Sequence, residues 1–496
     1  MSGGPPMKPR AGHHRSDLGM IAHQAMIDRG LLPDFDSAVL QQLDGIRGPA
    51  VARDTSIRDM TRLPWASIDN DDSLDLDQLT LAEELEGGHA KLYVAVADVD
   101  GLVTKGTPID LHARHNTTSV YTGAVLFPML PEKLSTDLTS LNANATRLAL
   151  VMEMIVGTDG ALVETSIYPA SVRNHCKLAY DSVAFWLDGL GPMPPAMAAA
   201  PGIDNQIRLQ DRIARALRHQ RYEHGVLDLE SIETRPVFED ESLKDLLVDR
   251  PNRAKHLIED FMIAANGVTA RFLAEAGVPA LRRVVRSPER WGRIVAVAAE
   301  HGATLPTAPD ARALQGFLVQ QRSLDPLRFP DLSLVIVKLL GPGEYVVEQP
   351  GERAIGHFGL AVRDYMHSTA PNRRFPDLLT HRLLKAVLAH QPPPYTVDEL
   401  EGLARHCTDQ EDAANKVERQ VHKSAAALLL ENRIGEQFDG VITGASEKGI
   451  WVRVFHPPVE GKVVHGFGEL EVGQKVRVKL TATDVEHGFI DFVRIG

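Results

Sequence analysis

The chain has 496 residues, 44% hydrophobic and 24% charged, the make-up of a folded globular protein with room for two to four domains. Against 53 Lys and Arg stand 66 Asp and Glu, a formal charge of −13 that argues against a protein coating nucleic acid through its net charge. That balance leaves open an enzyme whose positive charge is confined to a channel. Cys176 and Cys407 fit no metal spacing and suit a reducing cytoplasm; no apolar run could span a membrane or act as a signal peptide.

Residues 1–60 read as a polar tip followed by helices. Ser16-Asp17 caps a helix through Met20, Ile21, Ala25 and Met26 that Gly30 and Pro33 close; Asp36-Ser37 opens a second through Val39, Leu40 and Leu43. This makes a small helical module, either a helix-turn-helix or an extension packed on the main body. Five carboxylates, Asp69, Asp71, Asp72, Asp75 and Asp77, then fall within nine residues with no Lys or Arg among them. Each close pair repels by roughly 1 to 4 kcal/mol, tolerable in a solvated loop or around a cation. Such hard oxygen ligands suit Mg²⁺ or Mn²⁺, while the calcium-loop spacing is absent. In Asp75-Leu76-Asp77, extended alternation puts both carboxylates on one face and Leu76 on the other. Strand patterns follow at 91–96, 147–156 and 162–168. His112 and His115 read as a helical surface more readily than as a metal pair. A Pro- and Ala-rich loop over 189–202 precedes a helix carrying Arg208, Arg212, Arg215, Arg218 and Arg221 as one stripe, either solvated or facing RNA. Helical segments fill 245–340. Two capping boxes appear, Thr396 with Glu399 and Thr408 with Glu411, and the second opens a long helix through Leu430. Five short strands between Gly440 and Val493 then predict a small closed barrel.

Several blocks, in order, resemble the ribonuclease II (RNB) family of 3′-to-5′ exoribonucleases. They are the acidic stretch 68–78, Val96-Ala97-Asp98-Val99, Ser119-Val120-Tyr121, the Pro128-Met129-Leu130-Pro131 run, and Ile258-Glu259-Asp260-Phe261. Gly356-His357-Phe358-Gly359-Leu360 and the block from Ser368 to Asp377, followed by His381-Arg382, complete the series. The fold implied is α+β: a mixed α/β RNB catalytic domain over 61–434, an S1-type five-stranded OB barrel over 435–496, and the helical module over 1–60. Three features depart from the pattern. Gln78 stands where the family has a fourth Asp, Ala370-Pro371-Asn372-Arg373 replaces a usual Ser-Pro-Ile-Arg, and the two N-terminal cold-shock barrels have no room.

The resemblance implies Mg²⁺, with Mn²⁺ as a substitute, held by Asp69, Asp75 and Asp77, and Asp77 nearest the attacking water. Arg373 would contact the scissile phosphate, while a pairing with Asp377 is its structural alternative. Tyr121 would stack on the 3′-terminal base; Tyr180 and Glu259 would read the ribose, and Glu418 would lie near the site. The family's second aromatic clamp falls near Leu229. Trp451, Phe455, His465 and Phe467 are RNA-stacking candidates in the barrel. The function so implied is processive hydrolysis of single-stranded RNA to nucleoside 5′-monophosphates by a cytoplasmic monomer with no membrane partner. The rival, prompted by Gln78, is a catalytically silent RNA-binding protein on the same fold.

Overall fold

The computed structural model describes residues 15–495 apart from 53–54, 231–232, 327, 353, 447–448, 467–469 and 471. Helices α1 (Arg15–Asp28) and α2 (Ser37–Gly45) come first, and the Asp36 side chain caps α2 by accepting the Val39 N–H at 2.9 Å. Leu18, Ala22, Ala25 and Met26 of α1 are buried in a cluster shared with the last long helix and the C-terminal barrel. Val39 of α2 joins the core of the main sheet instead.

That sheet is built from β1 (Arg58–Asp59), β2 (Trp65–Asp69), β3 (Gln78–Glu84), β4 (Ala90–Ala97), β7 (Thr146–Val156) and the long β8 (Leu162–Ala179). Between β4 and β7 lie α3 (Pro108–Asn116) and the short pair β5 (Val120–Tyr121) and β6 (Leu126–Phe127). The strand order is β1-β8-β2-β3-β4-β7, and β7 returns to pair with β8, so the sheet curls back on itself. Burial on both faces explains why β4 reads as an almost unbroken apolar run.

Helices α4 (Tyr180–Leu187), α5 (Pro195–Ala198) and α6 (Ile203–His224) follow, then a hairpin of β9 (Glu233–Glu239) and β10 (Ser242–Asp249). The α6 arginines pair within their own chain, and Arg212 and Arg215 do so with 52% and 66% of their side chains still exposed, as a solvated stripe would. Arg208 lies over Trp186, Arg212 pairs with Glu84, Arg215 with Asp211, and Arg218 and Arg221 with Asp260. Next come α7 (Arg253–Glu275), β11 (Ala280–Val284), the trio α8 (Trp291–Glu300), α9 (Ala311–Leu324) and α10 (Phe329–Leu340), and β12 (Glu344–Glu348). The trio owns a separate apolar cluster around Trp291, Phe317 and Phe329.

Helix α11 (Phe375–Leu388) is buried along most of its length and carries Arg382 into the protein. Arg382 donates to Asp100 at 2.8 Å, to Tyr395 at 2.9 Å and to the Val103 carbonyl at 2.7 Å, and pairs with Asp110 at 2.7 Å. Arg382→Met is expected to strand the Asp110 carboxylate and cost about 3 to 5 kcal/mol in denaturant unfolding. A loss below about 1 kcal/mol would mean that the pair is dispensable.

Helix α12 (Val397–Leu430) opens on the Thr396–Glu399 capping box that the sequence predicts. The second predicted box does not form. Thr408 lies inside the continuous helix, its hydroxyl donating to Ala404 O at 3.0 Å and accepting the Tyr345 N–H at 2.9 Å, while Glu411 pairs with Arg283. Five strands, β13 (Gln437–Ser446), β14 (Gly449–Val454), β15 (Glu460–His465), β16 (Lys475–Asp484) and β17 (Phe489–Arg494), close the barrel in the order β13-β14-β15-β17-β16. Two contacts seat it on the main body. Arg453 pairs with Asp331 of α10 at 2.7 Å, and Gly488 comes so close to α12 that a Cβ there would lie 2.6 Å from the Lys423 Cβ.

Candidate active site

Strand β2 ends at Asp69 and β3 begins at Gln78, so the acidic loop joins two antiparallel neighbours at one end of the sheet. Ala179, the last residue of β8, pairs with Asp69 and sets Tyr180 beside it at the start of α4. The loop is pinned from behind. The Ser140 hydroxyl accepts the Leu76 N–H at 3.0 Å and donates to Leu74 O at 2.7 Å, and the Leu141 N–H donates to Leu76 O. Leu76 is thereby buried, but the alternation does not keep both flanking carboxylates out of the core: Asp75 is half-buried and Asp77 is buried as deeply as Leu76. One cation escaped the sequence reading because it lies on a distant strand. Lys177 of β8 donates its ammonium to the carbonyls of Asp71 and Ser73, at 3.4 and 2.7 Å.

The three carboxylates have different surroundings. Asp69 Oδ1 accepts the Asn70 N–H at 2.7 Å and the Ser73 hydroxyl at 2.8 Å. Asp75 Oδ2 accepts the Tyr121 hydroxyl at 2.8 Å. Asp77, only 2% exposed, accepts the Asn372 N–H on Oδ1 at 3.0 Å. Its Oδ2 is buried without a hydrogen bond, 3.3 Å from Arg373 Nε. Burial, helped by Asp75 and Asp377 and opposed by Arg373 and the Asn372 N–H, pushes the Asp77 carboxyl up to about 7.

Arg373 therefore pairs with Asp77, not with Asp377; Arg374 takes Asp377 at 2.8 Å. Arg373 ends the turn over 371–373 whereas Arg374 is the extended residue that precedes α11, and the two arginines meet different partners. Burial works against the Arg373 charge, but Asp77, Tyr121, Asp75 and Asp69 together raise its pKa. The departures from the family pattern also have local uses. Asn372 Oδ1 accepts the Thr139 hydroxyl at 2.5 Å, and Gln78 Nε2 donates to Thr369 O at 2.5 Å, tying β3 to the arginine loop.

Glu418 of α12 accepts the Tyr121 N–H at 2.8 Å, which places both residues at the site. Burial, with Asp69 adding, raises the Tyr180 phenol above its ordinary value, and Arg373 opposes the shift. Glu259 is joined to Arg218 at 3.2 Å with its side chain 52% exposed, so the structure ties it to α6 and not to the carboxylates. Leu229 packs with the α8–α10 cluster and offers no ring. In the barrel Trp451 is half-buried, Phe455 and His465 are exposed, and Phe467 lies outside the described residues. Sequence reasoning missed Phe489, 63% exposed and stacked on His487 with ring centroids 5.7 Å apart. His112 is buried against Phe35 and His115 contacts Gly30 O, so they are not a metal pair.

Among the described residues no three His, Cys, Asp or Glu side chains already converge as a cation cage. The donor set nevertheless fits a hard divalent cation. Three carboxylates share one loop, and Asp77 Oδ2 is buried without a hydrogen bond on a carboxyl whose ionisation burial opposes.

Residues 57–390 match the RNB domain, and residues 436–495 match the RNase II-type exonuclease C-terminal S1 domain. The chain belongs to the RNB domain family. It is similar to Ribonuclease R of Escherichia coli (strain K12), with 32% identity across 92% of this chain and 60% of that protein. The chain spans about 60% of the length of such curated relatives. Mycoplasma genitalium RNase R in complex with ribose-methylated single-stranded RNA shares the fold at a TM-score of 0.86 and 24% identity, covering 97% of this chain and 78% of that one. Yeast Ssd1, described as a pseudonuclease, shares the fold at a TM-score of 0.73 and 16% identity, covering 90% of this chain and 56% of that one.

Proposed function

We propose that the chain is a processive 3′-to-5′ exoribonuclease that hydrolyses single-stranded RNA to nucleoside 5′-monophosphates with Mg²⁺, or Mn²⁺ in its place. It would act as a cytoplasmic monomer. The observation that carries this reading is the meeting, at one end of the sheet, of Asp77 with Arg373 at 3.3 Å and of Asp75 with Tyr121 at 2.8 Å. Phosphodiester hydrolysis needs anionic and cationic groups at the same phosphorus, with something to hold the terminal nucleotide still. Asp69, Asp75 and Asp77 would hold the cation, which supplies an activated water and charge neutralisation at the phosphoryl oxygens. Arg373 binds the phosphoryl oxygens with its fork, and Tyr121 stacks on the last base while Glu418 fixes its backbone. Tyr180, beside Asp69, would meet the ribose.

Purified chain incubated with 5′-labelled oligo(A) and Mg²⁺ is the direct test. Successive shortening with release of mononucleotides supports the enzyme; a stable complex with intact RNA supports a silent binder. The second reading has one specific observation behind it, since Gln78 replaces an expected carboxylate and its amide is occupied by Thr369 O. Gln78→Asp separates the two. Losing the amide donor leaves two acceptors face to face, which is expected to cost about 1 to 3 kcal/mol of stability in EDTA and to be relieved by Mg²⁺. If three carboxylates suffice, turnover by Gln78→Asp stays within about tenfold of the parent. A silent parent that this change switches on is the alternative.

A further inference from the structure

Tyr121 has its backbone held from two sides. The Ser119 N–H donates to Arg373 O at 2.9 Å, and the Tyr121 N–H donates to Glu418 Oε1 at 2.8 Å. So anchored, the side chain carries its hydroxyl to Asp75 Oδ2 at 2.8 Å while the residue stays 42% exposed. The two parts of one side chain thus face different tasks: the ring lines the cleft, and the hydroxyl grips a candidate cation ligand. Asp75 lies on a loop whose rigidity comes from Leu76 and Ser140, and neither of those residues touches its carboxylate. A ligand carboxylate that accepts a hydrogen bond on one oxygen presents the other in a fixed direction, and such outer partners tune cation affinity.

We propose that the Tyr121 hydroxyl is the positioning group of Asp75 in the cation site, so that base stacking and cation binding are coupled through one side chain. The inference rests on the nuclease reading of the site and adds to it a use for the hydroxyl that stacking alone does not need. Coupling of this kind is reciprocal: a base that orders the ring strengthens the cation site, and a cation that orders Asp75 strengthens stacking by the same factor. Phenylalanine separates the two tasks, because it keeps the ring and loses the donor.

The test measures Mn²⁺ affinity without RNA, by the paramagnetic signal of unbound Mn²⁺, and RNA retention in EDTA. Parent, Tyr121→Phe and Tyr121→Ala are compared, with thermal midpoints to confirm that each is folded. Tyr121→Phe is expected to weaken Mn²⁺ binding about 10- to 100-fold while holding RNA in EDTA as the parent does. Tyr121→Ala is expected to lose both. Mn²⁺ binding by Tyr121→Phe as tight as the parent's, or tighter, overturns the proposal, as does a parent that binds no Mn²⁺. Neither readout depends on hydrolysis. A parent that shows the Mn²⁺ effect and leaves oligo(A) intact refutes the nuclease reading and spares this one.

Discussion

Asp77→Asn is expected to lower RNA hydrolysis by about three orders of magnitude or more while leaving RNA retention equal to or tighter than the parent's. The substitution is nearly isosteric. Asn keeps an oxygen for the Asn372 N–H, now at 3.0 Å, so the arginine loop stays in place. What it removes is the anion, and with it the oxygen that stands buried without a hydrogen bond opposite Arg373. A fall in rate through misfolding would look similar, and pH-dependent stability tells the two apart. The Asp77 carboxyl is raised from an ordinary value of 3.8 to about 7 in the folded chain. An acid raised on folding binds more protons in the native state, so its contribution is fully present below pH ~4 and is lost as the pH rises towards 7. Asn carries no such loss. In EDTA the thermal midpoint of Asp77→Asn is therefore expected to match or exceed the parent's at pH 8, with the gap closing below pH ~4. Persistent cleavage by this variant would remove Asp77 from the chemistry, and a lower midpoint at pH 8 would show that the pairing with Arg373 outweighs the burial of its carboxylate.

Much of the fold could be read from local pattern. The strand at 91–96 is one residue short of β4 at each end and that at 147–156 one residue short of β7 at its start, because apolar runs buried on both faces leave little choice of register. The barrel strands and the Thr396 cap are similarly local. Thr408 shows the limit: its motif is a capping box in isolation, yet the Ala404 carbonyl and the Tyr345 N–H claim its hydroxyl once the chain is folded. The site follows the same rule. The acidic loop and the Arg373 block were visible because each is contiguous. Of their partners, Glu418 on α12 was placed near the site only by the resemblance, and Lys177 on β8 had no local signal at all. The arginine stripe of α6 was legible as a stripe, but only the packing of α7 on α6 reveals that Asp260 takes two of its members. Sequence pattern reports which side chains share a face; what stands opposite that face is set by residues about 40 to about 300 positions away.

Arg373→Lys is expected to reduce turnover about 10²- to 10³-fold, close to what removal of one preorganised charge-stabilising donor costs elsewhere. The argument turns on geometry more than on charge. Arg373 Nε stands 3.3 Å from Asp77 Oδ2 with the side chain still 44% exposed, so one edge of the guanidinium meets the buried carboxylate while the rest remains in the cleft. A planar fork can hold Asp77 and a phosphate at once; an ammonium on a flexible stem is a single point that must choose between them. Lys preserves the positive charge that offsets Asp77, so the thermal midpoint in EDTA is expected to stay near the parent's. Arg373→Ala is the contrasting control. It removes the compensation as well, leaving the Asp77 carboxyl opposed by burial, Asp75 and Asp377 with only the Asn372 N–H in its favour, and its pKa is expected to climb further. A Lys variant with full rate would show that charge alone is needed at this position. A Lys variant as slow as Ala, with its midpoint preserved, would assign the whole effect to the fork.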